Sequence, residues 1–440
     1  MNNNKIFTND KCVGCNLCIA KCPCDEANVA LIENGQYKVY VDNTKCIACS
    51  ECIRVCPQNA RDYTDDTERF LADLEAGKKI PLIAAPALRS NVLDWQRLLG
   101  YLKIIGVSEV YDTSFGADIC TWAYLSYINT HNATGLISQP CPAIVNYIEY
   151  YVPENLRRLA PIQSPAMCTA IYMKKYENIP GTYAFLSPCV AKSDEFKDPN
   201  TGGLMEYNVT LKKLLEHLSE KGIDYTKNDP AGYDNEAHGM GSIYSSPGGL
   251  KANVEQYVQD QWIYQIEGQP HVSQFLHEYA NERGNAPFLV DILSCMHGCN
   301  IGTGACRGIG EEYAVGREMH NVKNDTMENA QREDLPPGPD FEEFDKKLKL
   351  ADFMRRYTPR KITPIIVDRT EMDKAFASMH KTSYEMRTHD CRRCGYQTCQ
   401  EMAVAIAKGL NHPENCIDYY RGELKNYLEV TSEAGSGGAL

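Results

Sequence analysis

Residues 12–23 read CVGCNLCIAKCP and residues 46–57 read CIACSECIRVCP. One spacing occurs twice: cysteines with two, two and three residues between them, then a proline. Thiolates are soft ligands suited to iron and zinc. Three of them this close together can grip three corners of an iron–sulfur cubane. The chain turns back at each proline, so the fourth corner needs a ligand from elsewhere. A zinc site accounts for four cysteines but not for eight in a doubled pattern. Cys24 is left over and is not expected to be a ligand.

The doubled run resembles the two-cluster ferredoxins, whose pattern crosses the fourth ligands between the halves. That resemblance implies one [4Fe–4S] cluster on Cys12, Cys15, Cys18 and Cys56, and a second on Cys46, Cys49, Cys52 and Cys22. Two cubanes within residues 1–63 make a wire, and a wire implies something at its end. A further set lies near the C-terminus, in CRRCGYQTCQEMAVAIAKGLNHPENC. There Cys391, Cys394, Cys399 and Cys416 flank a short amphipathic helix ending at Gly409, which returns the chain to Cys416. The set resembles the small single-cluster domain of other redox proteins and implies a third [4Fe–4S] site, with zinc as the alternative.

Between residues 64 and 365 the cysteines thin out to Cys120, Cys141, Cys168, Cys189, Cys295, Cys299 and Cys306. Four of them sit in SQPCPAI (138–144), LSPCVAKSDEF (186–196) and SCMHGC (294–299). Cys141 and Cys189 each precede a helix-like segment, where free N–H groups suit an anionic thiolate-bound cluster. With Cys295 and Cys299 they supply four thiolates from three loops, the number one cubane needs. The elements that must position them alternate. KIPLIAAPALRS, SEVYDTSFG, GTYAFLSPC and APFLVDILSC read as strands running into turns, and AIVNYIEYYVPENLRRL reads as a helix. This is an α/β layout, whose ligands gather beyond the strand ends.

These three motifs, in this order behind a double-cluster module, resemble the [FeFe]-hydrogenases, whose signatures run roughly TSCCPxW, MPCxxKxxE and ExMxCxxGCxxGG. YDTSFGAD (111–118) and AAPALRS (84–90) also resemble family segments. The resemblance covers most of residues 1–365. It implies the two-lobed H-cluster fold, with an α+β ferredoxin-like module before it and a small iron–sulfur domain after it. It further implies that Cys141, Cys189, Cys295 and Cys299 hold the cubane of an H-cluster. Cys299 would bridge to a two-iron subcluster carrying CO, cyanide and an azadithiolate. Lys192, followed by Glu195, would hydrogen-bond one cyanide, and backbone groups of Pro86 and Ala87 would line the other. Gly298, Gly302 and Gly304 would let the backbone approach a bulky cofactor. Outside the motif, Lys192 would read as an ordinary solvated lysine.

The sequence departs from the family at several points. Pro140 stands where catalytic members carry a proton-passing cysteine, and it has neither an ionisable side chain nor an N–H. Ser187, in the cofactor-lining position, replaces a methionine; Asp291, Leu293 and Ile301 also differ. The acidic relay residues after YDTSFGAD are absent, the chain reading ICTWAYLSY. Retained ligands with an altered proton path resemble the divergent, sensor-type branches of the family. Losing a positioned acid–base group typically costs about 10²–10⁴-fold in rate. Cys168, then Cys120, are the thiols that could substitute as carriers, against the plainer reading of buried apolar packing. His297 reads equally as a tuner of the cubane and as a solvent-facing turn residue. Cys306 reads as packing.

The chain has 440 residues and a formal net charge of −13. The length suits several domains: 1–63 ferredoxin-like, 64–365 H-cluster, 366–430 C-terminal cluster, and 431–440 a structureless tail. Polar, proline-bearing stretches (QREDLPPGPDFEEF, RRYTPRKITP) read as connectors. Negative charge argues against nucleic acid or an anionic membrane as partner. No signal peptide and no run of about 18 apolar residues is found, so the expectation is a soluble, cytoplasmic protein. The function expected is reversible H₂ oxidation and proton reduction, in a metabolic catalyst or a hydrogen sensor. The expected electron partner is ferredoxin or a redox or signalling protein, and a homodimer is among the open oligomeric states. Two alternatives remain: a non-catalytic iron–sulfur scaffold lacking the two-iron subcluster, and a plain multi-cluster electron carrier.

Overall fold

The computed structural model describes residues 5–24, 26–235, 239–282, 284–332 and 341–436. The chain forms two compact units. One comprises residues 1–46, 50–63 and 362–440, and the other residues 47–49 and 64–361.

In the first unit, Ile6–Thr8 pairs antiparallel with Arg61–Tyr63, and Asn28–Glu33 forms a hairpin with Gln36–Val41. Each cysteine run ends in one turn of helix, Leu17–Ala20 and Glu51–Arg54, and the residues before them, Asn16 and Ser50, are both left-handed. The sequence repeat is thus also a backbone repeat. The C-terminal part adds the helices Arg369–Ser378 and Cys399–Ala407, both started by capping boxes that satisfy their first N–H groups. Gly409, at φ +71°, turns the chain after the second helix as expected. The final helix, Ile417–Ser436, runs into the segment expected to be a structureless tail. The last four residues of that tail lie outside the described residues, as do residues 333–340 of the first expected connector.

The second unit is built on two parallel sheets. One has the order Val107–Asp112, Ile80–Ala84, Tyr183–Ser187, Met205–Thr210; the other has the order Ile263–Glu267, Leu289–Leu293, Leu136–Ile137. Ile80–Ala84, Tyr183–Ser187 and Leu289–Leu293 are buried at every position. This is why they read as continuous apolar runs rather than alternating ones. Helices Thr113–His131 and Pro165–Lys175 pack on each other and begin at side-chain caps from Asp112 and Ser164. The expected helix at 143–159 is α-helical over Pro142–Tyr151 and continues as a 3₁₀ turn, Pro153–Arg158, because Pro153 lacks the N–H an α-helix would use. The second expected connector does more than connect. Its Arg355 is 4% exposed and pairs with Glu195 and Asp198. Among the described residues no helix is long and apolar enough to cross a membrane.

Leu186, in the middle of the four-stranded sheet, is fully buried. Leu186→Ala is expected to destabilise the chain by about 2–5 kcal/mol, read as a lower denaturant midpoint of the whole protein.

Candidate metal centres

In the first unit several of the thiols stand near one another, and Cys52 has neighbours from both runs, Cys18 among them. Cys18 lies within electrostatic reach of Cys12 and Cys15, and Cys52 within reach of Cys46 and of Cys22 from the other run. Cys56 accepts a hydrogen bond from the Ala60 N–H at 3.3 Å. Cys49 groups with the second unit. Burial raises the pKa of the Cys18 and Cys52 thiols, and Arg61 opposes the rise in both. Arg61 is itself buried and donates to the Cys18 sulfur at 3.2 Å and to Asn28 at 2.8 Å. A buried guanidinium between two thiol sets suits anionic clusters. Cys24 is buried.

At the other end of that unit Cys391, Cys394, Cys399 and Cys416 line one cavity together with Lys381. Asp390 clasps the Cys399 end: its N–H donates to the Cys399 sulfur at 3.3 Å, and its carboxylate accepts the Cys399 N–H at 2.6 Å. Lys381 is 1% exposed, pairs with Asp418 and donates to the Met386 carbonyl.

In the second unit three loops meet. Cys141 directly precedes Pro142–Tyr151, and the nearby N–H groups of Ser294, Ile144 and Ala143 oppose the rise that burial imposes on its pKa. Ser294 directly precedes Cys295, so the first and third motifs touch here. Burial, then the neighbouring Cys141, push the Cys189 thiol up to about 12, opposed by Lys192 and by the N–H groups of Ala191 and Lys192. Cys299 is raised by burial and then by Cys189 and Cys141, with Lys192 again opposing. Cys295 lies on the same turn, its carbonyl accepting the Gly298 N–H at 3.1 Å. Among the described residues no three His, Cys, Asp or Glu side chains close to the spacing of a single metal ion.

The backbone around these sulfurs is tightly held. Ser187 accepts the Cys189 N–H at 2.9 Å, and its hydroxyl donates to the Cys189 carbonyl. Gly298 has φ +71°, and a Cβ there would lie 2.5 Å from the Ser245 carbonyl. At Gly302 a Cβ would lie 2.5 Å from the Pro188 carbonyl oxygen, beside Cys189. These glycines are needed for backbone against backbone, before any cofactor is considered. Pro86 and Ala87 form a buried turn after the strand Ile80–Ala84. Lys192 is nearly buried, donates to Ser164 at 3.2 Å and pairs with Glu195, which also meets Arg355 at 3.3 Å. An ammonium has three donors, so one remains for a ligand.

Residues 78–303, just over half of the chain, match the family described as "Iron only hydrogenase large subunit, C-terminal domain". The chain belongs to the iron-only hydrogenase family. Residues 10–60 match a "4Fe-4S dicluster domain", and residues 389–417 match a family of iron–sulfur cluster segments. Two solved structures have a similar fold. One is an [FeFe]-hydrogenase whose oxygen inactivation begins with modification and degradation of the 2Fe subcluster of its H cluster (15% identity, 68% of this chain and 100% of that chain covered, TM-score 0.50). The other is an apo variant of [FeFe]-hydrogenase HydA1 from Chlamydomonas reinhardtii (15% identity, 68% and 100% covered, TM-score 0.51). At this identity the likeness is one of fold.

In this iron-only hydrogenase chain, one positioning residue, Asn91, carries no motif, and its neighbour Ser90 closes the AAPALRS segment. Asn91 donates to the Asn300 carbonyl at 3.0 Å and accepts the Cys306 N–H at 2.8 Å, while Ser90 donates to the Asn300 side chain. Together they lock the Pro86–Ala87 turn to the turn of Cys299. Only their place directly after AAPALR hinted at this. Cys168 and Cys120 are fully buried, and both point at the Gln163 carbonyl, at 3.3 and 3.4 Å. Burial, and then a hydrogen bond with Cys120, raise the Cys168 thiol well above its ordinary value. Cys306, expected as packing, is exposed, while its backbone N–H donates to the buried Asn91 side chain. His297 is 43% exposed and 3.8 Å from Glu312. It borders a hollow of about 370 Å³ lined also by Asn300, Ile301, Met319 and Lys323; Lys192, Pro86 and Ala87 are not in that lining.

Two buried carboxyls stand near neutrality. Burial pushes Asp118 up to about 8 against the opposing N–H groups of Gly241 and Gly239, and pushes Asp291 up to about 7. The folded state therefore keeps protons that the unfolded chain releases above about pH 4. Stability from these groups is complete below that pH and falls as pH rises through about 7 to 8. Asp118→Asn keeps an acceptor for the Gly241 N–H, which Asp118 binds at 2.9 Å. The variant is expected to lose less thermal stability between about pH 5 and pH 8 than the unaltered chain; equal loss would contradict the burial argument.

Proposed function

We propose that this chain is an [FeFe]-hydrogenase of low turnover that interconverts protons, electrons and H₂ (2H⁺ + 2e⁻ ⇌ H₂), in the manner of a hydrogen sensor. The observation that carries this reading is the approach of Cys141, Cys189 and Cys299, from separate loops, around the buried ammonium of Lys192. Cys295 on the same turn would complete a cubane set, and Cys299 would be the ligand shared with the two-iron part. When bound, the H-cluster supplies an iron pair and a bridging amine at which H₂ is split or formed. The chain's own residues hold and enclose that group. Lys192, fixed by Ser164 and Glu195, would offer its remaining N–H to a cyanide, and Pro86 and Ala87 would present backbone to the other. Ser187 fixes the Cys189 turn, and Gly298 and Gly302 give the backbone its close approach. Glu195 acts through Lys192, with Arg355 balancing its charge.

Proton supply is the weak link, and it favours the sensor reading over a fast catalyst. Pro140 can neither donate nor accept a proton. Cys168 and Cys120 are the available thiols, but burial holds the Cys168 proton tightly, whereas an efficient carrier titrates near the working pH. The three further cubanes, two on residues 12–56 and one on residues 391–416, are proposed to carry electrons to and from a ferredoxin or a signalling protein in the cytoplasm. The domain limits proposed are 1–63, 64–365 and 366–430. What favours this reading over a scaffold without the two-iron part is the third N–H of the buried Lys192 ammonium, left over once Ser164 and Glu195 are bound.

The test is H₂/D₂O exchange by the matured full chain. Slow HD formation is expected, rising on the order of 10²-fold in Pro140→Cys with iron content unchanged. No HD from fully iron-loaded protein, with or without the substitution, would leave the scaffold.

A further inference from the structure

The C-terminal cysteine set and the first N-terminal set belong to one compact unit, and their ligand loops press directly together. Gly395 follows Cys394, and a Cβ on it would lie 2.9 Å from the Asn16 carbonyl oxygen and 3.0 Å from Ile19 Cβ. Asn16 and Ile19 bracket Cys18, and Asn16 follows Cys15. Only two peptide units and one van der Waals contact therefore separate Cys394 from Cys15. Gly395, at φ +95°, is required both by its backbone conformation and by this contact. Tyr396 packs into the small core that contains Cys18, Ile19 and Cys52.

The rest of the seam is built to hold. The Ala30 N–H donates to the Leu410 carbonyl at 2.9 Å. Tyr37 stacks on His412 with centroids 5.2 Å apart, and its hydroxyl lies 3.1 Å from that of Tyr420. Glu26, 6% exposed, pairs with both Lys408 and Lys45. Shielded pairs and backbone bonds of this kind mark a fixed junction rather than a tethered module. The cluster cavity has an exposed rim at Cys391 and Arg392. Cys391, Arg392 and Arg393 are exposed, and among the described residues neither arginine has a carboxylate within ion-pair range. On a chain of net charge −13 this is a local positive edge beside a redox site.

We propose that the C-terminal cubane is the outer terminal of the chain's own electron wire, exchanging directly with the cubane of Cys12, Cys15, Cys18 and Cys56, and that its arginine edge receives an acidic one-electron iron–sulfur carrier protein. The proposal rests on the reading that both sites hold [4Fe–4S] clusters. In each transfer the reduced carrier gives up one electron and is oxidised. The C-terminal cluster passes from the 2+ to the 1+ state and returns to 2+ as the electron moves to the first N-terminal cubane. Two such transfers supply one H₂.

Pulsed electron paramagnetic resonance of the reduced full chain tests the junction, with iron content measured alongside. The C-terminal [4Fe–4S]⁺ signal is expected to relax fast through its neighbour. It should become that of an isolated cluster in Cys18→Ser, stay fast in Cys52→Ser, and slow in Gly395→Ala with the C-terminal cluster's iron retained, since that change replaces no ligand. An identical signal in the unaltered chain and Cys18→Ser, with one cubane's iron lost, would overturn the proposal while sparing the cluster assignment. Absence of iron from the C-terminal site would overturn both. For the port, the probe is a reduced acidic [2Fe–2S] ferredoxin in stopped flow. Arg392→Glu with Arg393→Glu should slow cluster reduction at least about tenfold at low salt, with the gap closing as salt rises. An equal rate at low salt would remove the arginine edge as the docking site.

Discussion

Sulfur ligands repel one another when they are gathered out of water, and that repulsion is the constraint on which the structure depends. Each thiolate set brings several potential negative charges into a medium where a buried charge is costly unless it is compensated. Each region is provided with one buried cation: Arg61, shared by the two sets of the N-terminal module, Lys192 in the central site and Lys381 beside the C-terminal cysteines. Each cation is in turn fixed by a polar partner, Asn28, Glu195 and Asp418 respectively. Backbone N–H groups aimed at sulfur supply the remainder, as at Cys141 and Cys189. Such outer partners set cluster potentials and ligand orientation as much as the ligands do.

The fold follows from the same need. Parallel strands that are buried on both faces end together, so their loops can meet at one place. Cys189 follows Tyr183–Ser187, the Cys295–Cys299 turn follows Leu289–Leu293, and Cys141 follows Leu136–Ile137. The loops are then locked to each other rather than left to the cofactor: Ser294 to Cys141, Ser245 to Cys299, and Asn91 to Asn300 and Cys306.

Much of this was legible in the sequence. Cysteine spacing announced the doubled module and the C-terminal set, because short-range ligand geometry is written directly into local separations. Apolar runs located the central strands, and Gly409 marked a helix end. What escaped was long-range. Arg355 stands in a stretch that reads as a proline-bearing connector, yet it neutralises Glu195 from 160 residues away. Asn91 has no motif, and its role exists only once the Cys299 turn folds against it. Gly298 and Gly302 read as room for a cofactor, while their first demand is the approach of Ser245 and Pro188. The seam between residues 26–37 and 395–420 could not be inferred either, since stacking partners such as Tyr37 and His412 have no sequence period relating them.

The central claim is that four sulfurs surround one cubane and that Cys299 shares it with an iron pair bearing diatomic ligands. Infrared spectroscopy of the matured full chain addresses it most directly. The account predicts sharp bands of iron-bound CO and cyanide that disappear in Cys299→Ser and shift in Lys192→Met. A matured protein with its full complement of cubane iron and no such bands would contradict it.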